Sequence, residues 1–214
     1  MKGDKNVMSI KALKKVLAVT MAATMLVMPL TVGATDSSSS SSTEATADAG
    51  AVQSTSQVVA GGAVVKNELP GAFQVAPTAP ITGMAVTESP AQIKQEAGLA
   101  ANETPYVAAY TVDRKKSAAV YASFDAAAAS VGGTTLGGIN VDLGKLTGGK
   151  FTQLPAGVSV PFTMGIKNYN PNLTYYVVKV LPGGATELIP CTVTNGRLSF
   201  NITGGLAGYG LIAK

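Results

Sequence analysis

Hydrophobic residues occupy every second position between Val158 and Ile166, and no other feature constrains the fold of this chain as strongly. The hydrophobic positions are Val158, Val160, Phe162, Met164 and Ile166. Strict alternation is typical of a β-strand that buries one face. Pro161 lies on the opposite face and has no N–H for a ladder hydrogen bond, which predicts an edge strand or a bulge at that point.

The residues after this run predict more strands. Asn195-Gly196 is typical of a two-residue β-hairpin turn, and its flanking hydrophobic residues share one face: Val193, Leu198, Phe200 and Ile202. A strand is also predicted over Leu173–Leu181, with Tyr176, Val178 and Val180 inward and Lys179 outward. Tyr209–Ala213 reads as the final strand, and an unpaired final strand could join a neighbour's sheet.

Earlier segments predict short strands and two helices. The strand candidates are Val58–Val65, Ala72–Val75, Met84–Thr87 and Pro105–Asp113. Ser89, Pro90 and Gln92 form the start of a capped helix whose apolar stripe is Ile93, Ala97 and Ala100. A second helix is predicted over Ser117–Val131, with Val120, Phe124, Ala127 and Val131 on one face and Gly132-Gly133 at its end. The sequence therefore predicts an α+β fold, a mostly antiparallel β-sandwich-like domain with two short helices.

The first 34 residues have the three parts of a secretory signal peptide. A lysine-rich start precedes an apolar, uncharged run over Val16–Leu30, and Val32 and Ala34 match the small-residue pattern that signal peptidase recognises. We expect cleavage after Ala34 and an extracellular location. The alternative is an uncleaved membrane anchor, because the uncharged run is about long enough to cross a bilayer.

Residues 35–57 are rich in serine, threonine and alanine and include an unbroken serine run over Ser37–Ser42. They contain too few large apolar side chains to offset the entropy of ordering them, which predicts a disordered linker. A glycosylated stalk is the alternative. The remaining residues, 58–214, are predicted to form a single domain.

The composition excludes several chemistries. The chain has no histidine and one cysteine, so it lacks an imidazole base, a His-ligated metal and an intrachain disulfide. Cys191 shares parity with Val193 and is expected to face the core as an inert thiol. Asp113, Asp125, Asp142 and Glu187 are well separated in sequence, and no calcium-loop motif is present. We therefore expect no catalytic residue, no metal and no cofactor.

Charge and glycine patterns argue against nucleic-acid and nucleotide binding. Five lysines and one aspartate in the first 15 residues account for the net charge of +4, so the rest is neutral and offers no electrostatic attraction to nucleic acid or to an anionic membrane. The glycine clusters match no phosphate-binding motif and are predicted to be turns and bulges. The basic run Arg114-Lys115-Lys116 reads as a solvated turn, or alternatively as a contact for an anionic wall polymer.

The pattern of glycine and lysine residues along the chain resembles that of small, uncharacterised secreted proteins of Gram-positive anaerobic bacteria. The residues that carry this likeness are Lys115-Lys116-Ser117 with the alanine-rich block up to Gly133, Ile139-Asn140-Val141, Gly148-Gly149-Lys150-Phe151, Pro182-Gly183-Gly184, Thr203-Gly204-Gly205 and Gly208-Tyr209-Gly210. The resemblance implies export and one compact domain, and it assigns no catalytic residues.

We therefore expect a secreted or cell-surface protein that is not an enzyme and that makes structural or adhesive contacts, with a cell-wall or other extracellular partner. The first alternative is an extracellular module for a small ligand or glycan, which requires a concave pocket lined by tyrosines with convergent polar groups. The second alternative is a carboxylate-dependent hydrolase, which requires two acidic side chains in one cleft.

Overall fold

A computed structural model of the protein describes residues 53–54 and 56–214, with fourteen strands and two helices. The predicted signal peptide, including Ala34, and most of the predicted linker lie outside the described residues. The strands are β1 (Gln53–Ser54), β2 (Gln57–Ala60), β3 (Ala63–Lys66), β4 (Gly71–Val75), β5 (Ile81–Val86), β6 (Glu103–Thr111), β7 (Thr134–Thr147), β8 (Lys150–Gln153), β9 (Ser159–Ile166), β10 (Tyr175–Val180), β11 (Thr186–Ile189), β12 (Cys191–Thr194), β13 (Arg197–Thr203) and β14 (Gly205–Ala213). The helices are α1 (Pro90–Glu96) and α2 (Ala118–Ser130).

Two sheets enclose the main core. The large sheet has the order β1-β4-β6-β7-β14-β10-β11, with β8 paired to β7, and the small sheet has the order β12-β13-β9-β5. Within these sheets only β4 and β6 pair in parallel; β2 and β3 form a separate hairpin. Inward side chains of both sheets join one buried hydrophobic cluster, as in a sandwich. The predicted α+β fold, mostly antiparallel with two helices, is confirmed.

The alternating run forms β9 as predicted, but Pro161 is neither at an edge nor in a bulge. β9 lies between β13 and β5, and Pro161 pairs in regular register with Asn201 of β13. The carbonyl of Pro161 accepts a hydrogen bond from Thr87 N at 3.2 Å, just beyond the end of β5. The N–H and C=O of a residue in an antiparallel strand point to the same side. The N–H that Pro161 lacks would therefore point beyond the end of β5, where it would have no strand partner.

The strand β10 buries both of its faces, so the expectation that Lys179 points to solvent is wrong. Val178 and Val180 pack with α2, as their shared parity predicts. Tyr175 and Val177 pack on the other side, in the core between the sheets. Lys179 shares that second face and is 9% exposed.

The strand β14 lies inside the large sheet and not at its edge. It pairs with β7 on one side and β10 on the other, so it offers no free edge for a neighbour. Gly137-Gly138 and the glycines of residues 205–210 lie within β7 and β14 and not in turns. The register of these two strands shifts beside Gly137, so the prediction of bulges holds there while that of turns is wrong. Gly132 and Gly148-Gly149 do adopt positive φ at the predicted chain reversals.

Both predicted helices are present. The Ser89 side chain accepts a hydrogen bond from Gln92 N while the Gln92 side chain accepts one from Ser89 N, completing the capping box. α1 ends at Glu96, before the predicted apolar stripe reaches Ala100, because Gly98 adopts positive φ. α2 buries Tyr121, Phe124 and Ala128 on the outer face of the large sheet. Neither helix in the described part of the chain is long and apolar enough to span a membrane.

Candidate functional site

The outer face of the large sheet is only half covered by α2, and aromatic and polar side chains fill the other half. We call this surface the Tyr–Asp face and define it by Tyr106, Tyr110, Asn140, Asp142, Phe151 and Gln153. They come from three adjacent strands, β6, β7 and β8. Asn140 is buried, Phe151 and Gln153 are exposed, and the others are partly exposed.

The strand register brings these residues together. Tyr110 lies beside Asn140 across the β6–β7 ladder, and Tyr106 lies beside Gly144. Gln153 of β8 pairs with the same Gly144 from the other side. Residues of one parity face one side of a sheet, so the side chains at alternate positions of β7 line up with their β6 and β8 neighbours on the outer face.

Small residues lie next to the polar side chains of this face. Asn140 is flanked by Gly208 of β14, and Asp142 is flanked by Ala108 of β6. Gly144 leaves room for the Phe151 ring, which lies over the position that a Cβ atom would take. The Phe151 ring meets the Tyr106 ring edge to face, with centroids 6.2 Å apart and an interplanar angle of 75°.

Hydrogen bonds fix the polar centre of the face. Asn140 is 4% exposed, and its Nδ2 donates to Tyr110 Oη at 3.0 Å. Gln153 Nε2 donates to Asp142 Oδ2 at 3.4 Å, while Asp142 Oδ1 is buried and has no hydrogen-bond partner among the described residues. Burial raises the pKa of Asp142, and the bond from Gln153 opposes the rise.

A groove of about 340 Å³ adjoins the Tyr–Asp face and shares Asn140 with it. Its walls are the first turns of α2 at Ala119 and Ser123, the turn around Gly183, and β14 at Leu206. The volume is at the lower end of the range for small-molecule sites. Asn140 is the only residue of the Tyr–Asp face that also lines the groove.

The other predicted acidic candidates do not join Asp142. Asp113 Oδ1 accepts hydrogen bonds from the backbone N–H groups of Lys115 and Lys116, at 2.9 and 2.8 Å. Asp125 binds Arg114 through two hydrogen bonds, and this pairing lowers the pKa of Asp125. Glu187 is exposed on β11, opposite Lys179.

The basic run forms a turn whose arginine is engaged within the domain. The Arg114 guanidinium lies 4.4 Å from the centre of the Tyr121 ring, and its ion pair with Asp125 is half exposed. The Asp113 bonds described above fix the same turn. Through these contacts Arg114 attaches the turn to α2.

Cys191 packs partly against the main core, as its parity predicts. Its Sγ lies 3.6 Å from the carbonyl oxygen of Tyr175, to which it donates. Burial raises the pKa of the thiol, which favours its unreactive protonated form. No three histidine, cysteine, aspartate or glutamate side chains in the described residues are grouped to hold a metal ion.

Tertiary structure also creates groupings that the sequence did not reveal. Asn140 and Gln153 were not recognised as site residues, because their partners Tyr110 and Asp142 are defined by strand register.

Glu88 and Glu96 lie at the two ends of α1, and burial together with neighbouring Glu96 raises the pKa of Glu88. Both side chains line one open depression of about 330 Å³, in which Glu96 is exposed. Of the acidic groupings described, this is the one that bears on the hydrolase alternative, which requires two carboxylates at one cleft.

Comparison with known proteins gives no relative: no family model, no curated protein and no solved structure matches this chain.

Proposed function

We propose that the protein works outside the cytosol as a non-enzymatic contact module, and that its Tyr–Asp face binds glycan chains. The observation that carries the proposal is the convergence of three aromatic rings with amide and carboxylate groups on one open sheet face. Tyr106 and Phe151 supply the rings at one end, and Asn140 and Asp142 supply polar groups at the other.

The chemistry of this face suits a sugar chain better than a protein helix or a nucleotide. A pyranose ring has apolar C–H faces that pack on aromatic side chains, and hydroxyl groups that both donate and accept hydrogen bonds. The amides of Asn140 and Gln153 can donate and accept, while the carboxylate of Asp142 accepts only. Residues 16–214 carry no net charge, which is compatible with a neutral polymer.

The test is co-sedimentation of the purified protein with insoluble peptidoglycan and, in parallel, with cellulose. We expect Phe151→Ala to reduce the bound fraction by about tenfold, because removal of an aromatic hot-spot contact commonly weakens binding by more than 1 kcal/mol. Leu173→Ala is the matched control, since Leu173 is 40% exposed and Phe151 is 38% exposed.

Two results would contradict the proposal. Equal sedimentation of the wild type and Phe151→Ala on both polymers would remove the Tyr–Asp face as the binding surface. Release of soluble sugar during the incubation, abolished by replacing one acidic residue, would show a carboxylate-dependent hydrolase instead of a contact module.

Export is a separate part of the proposal, supported by the leader pattern of residues 1–34. Cell fractionation followed by N-terminal sequencing tests it directly. We expect the protein in the medium or at the cell wall, beginning at Thr35. Intact protein in the cytosol that still carries Met1 would overturn this part and leave glycan binding to be judged by sedimentation.

A further inference from the structure

Asp142 is the one acidic residue of the Tyr–Asp face, and its negative charge has no cationic partner in the described structure. Neither of the two ion pairs formed within residues 53–54 and 56–214 includes Asp142. Its Oδ2 accepts the bond from Gln153 at 3.4 Å, which is longer than an ordinary N–H···O bond, and its Oδ1 is the buried acceptor without a partner noted above. An ionised carboxylate can accept about four hydrogen bonds, so Asp142 has capacity for a further donor.

The side chains around Asp142 suit a cation that also has an apolar surface. Asp142 pairs with Ala108 across the β6–β7 ladder, and Ala108 has only a methyl group. Tyr106 and Tyr110 are the diagonal neighbours of Asp142 on the same face, with Cβ atoms about 7 Å away. Aromatic rings attract an ammonium group through their electron-rich faces, and the Phe151 ring extends the aromatic surface beyond Tyr106. A group that lies over Ala108 can therefore contact a negative charge and aromatic rings together.

The carboxylate of Asp142 can turn to meet such a group. The torsion between Cβ and the carboxylate of an aspartate is broad and roughly two-fold, so rotation exchanges the two oxygen atoms. The residue as a whole is partly exposed, although Oδ1 is covered. Because a buried acceptor without a donor is unfavourable, a ligand that donates to this carboxylate relieves an existing cost.

An ammonium group satisfies Asp142 better than the hydroxyl groups of a neutral sugar do. A hydroxyl both donates and accepts, and a carboxylate can use only its donor. A bond from an ammonium to a carboxylate pairs two opposite charges and belongs to the strongest class of hydrogen bonds in proteins. Residues 16–214 carry no net charge, so the molecule as a whole does not repel a cationic ligand.

We propose that the glycan bound by the Tyr–Asp face carries free amino groups, with one ammonium on Asp142 and the sugar rings against Tyr106 and Phe151. The inference rests on the proposed glycan binding and names the class of sugar that this site selects, an amino sugar without an acetyl group. In an N-acetylated sugar the same nitrogen is a neutral amide, which cannot form an ion pair with Asp142.

Two hexasaccharides that differ only at this nitrogen test the proposal: the glucosamine hexamer and its N-acetylated counterpart. Each is titrated into the whole protein by calorimetry, in a mildly acidic buffer that keeps the sugar amine protonated. We expect the wild type to bind the amine form roughly tenfold more tightly, since only this form makes a hydrogen bond between charged groups. Hexalysine is the third probe and supplies amines without sugar rings.

Asp142→Asn should lose the preference for the amine form. The variant removes the charge and keeps an oxygen for the Gln153 bond, so we expect roughly tenfold weaker binding of the amine hexamer and little change for the acetylated one. Retained binding of the acetylated hexamer also shows that the variant is folded. Glu68→Gln is the matched control, because Glu68 is an exposed acid outside the Tyr–Asp face, and it should bind both hexamers like the wild type.

The outcomes separate this inference from the proposed function. Failure of the wild type to bind either hexamer would contradict glycan binding and this inference with it. Equal affinities, tighter binding of the acetylated hexamer, or an Asp142→Asn variant that keeps the preference or loses both ligands equally would overturn only the choice of an amino sugar. Hexalysine that binds as tightly as the amine hexamer would overturn that choice too, because it would show that Asp142 binds cations without regard to sugar.

Discussion

The two halves of the outer face of the large sheet share strands but differ in character. Under α2, Gly138 and Gly210 leave space into which the Phe124 ring packs, and this half is closed to water. Two positions along β7 from Gly138, Asn140 begins the half that is open and polar. In this sheet, glycines inside the strands determine where α2 can pack, and the polar side chain of Asn140 on the same strand marks where that packing ends.

Removal of the Phe124 ring should have the largest effect. Phe124 is 0% exposed and contacts Tyr121 edge to face at 5.5 Å. We expect Phe124→Ala to lower the free energy of unfolding by about 4 kcal/mol, because it leaves a large cavity under α2. Urea denaturation measures the change. Phe151→Ala, on the open half, should lower the free energy of unfolding by about 1 kcal/mol or less. Equal losses of stability in Phe124→Ala and Phe151→Ala would contradict the distinction between the two halves.

Addition of a methyl group under the same ring should have the next largest effect. A Cβ atom at Gly210 would lie 2.6 Å from Phe124 Cδ1 and 2.9 Å from Val178 Cγ1. Gly210→Ala should therefore destabilise the protein by about 2 kcal/mol, since a packed core yields only partly to extra volume. Gly157→Ala has no heavy atom within 4 Å of the new Cβ and serves as the control. A neutral Gly210→Ala would show that α2 is loosely seated.

The smallest effect, and the one with the opposite sign, is expected on the open half. Burial raises the pKa of Asp142 in the folded protein, so the folded state binds a proton more readily than the unfolded state does. The resulting penalty is present at neutral pH, decreases as pH falls through the raised pKa, and vanishes below the ordinary value of 3.8.

Asp142→Asn should consequently stabilise the protein at pH 7 by less than about 1 kcal/mol, because the side chain is only partly buried. The gain should disappear in denaturation curves measured below pH 3.8, the ordinary pKa of an aspartate. The amide oxygen of the substituted side chain would still be able to accept the hydrogen bond from Gln153, so the geometry of the face should persist. A variant less stable than the wild type at pH 7 would show that the ionised carboxylate is favourable where it lies.

Local signals in the sequence predicted many elements correctly. The alternation of β9, the capping box at Ser89 and the Asn195-Gly196 turn depend on residues that are neighbours in the chain, and each formed as expected. β7 was missed because its glycines were interpreted as turns. A glycine can mark a turn, or it can lie within a strand where a neighbouring side chain packs closely. In β7 the close neighbours are the Phe124 and Phe151 rings, which belong to other elements, so residues next to the glycines in sequence could not reveal them.

The candidate site was only partly predictable for the same reason. Asp142 was considered only as one of four separated acidic residues, and tyrosines only as a requirement of the ligand-binding alternative, because their grouping depends on the β6–β7–β8 register. Tyr121, Tyr175 and Tyr209 have the same side-chain type as Tyr106 and pack in the interior. The orientation of Lys179 was mispredicted because a single-faced strand pattern cannot show that a second layer covers the other face.

The position of β14 between β7 and β10 has a consequence for biosynthesis. Residues 134–147 and 175–180 are made first, but they are joined only when residues 205–213 are inserted between them. A nascent chain that has not yet produced this last strand has two unfilled edges, and closure of long loops is slow. The large sheet therefore stays incomplete, and its two halves stay apart, until residues 205–213 have been made.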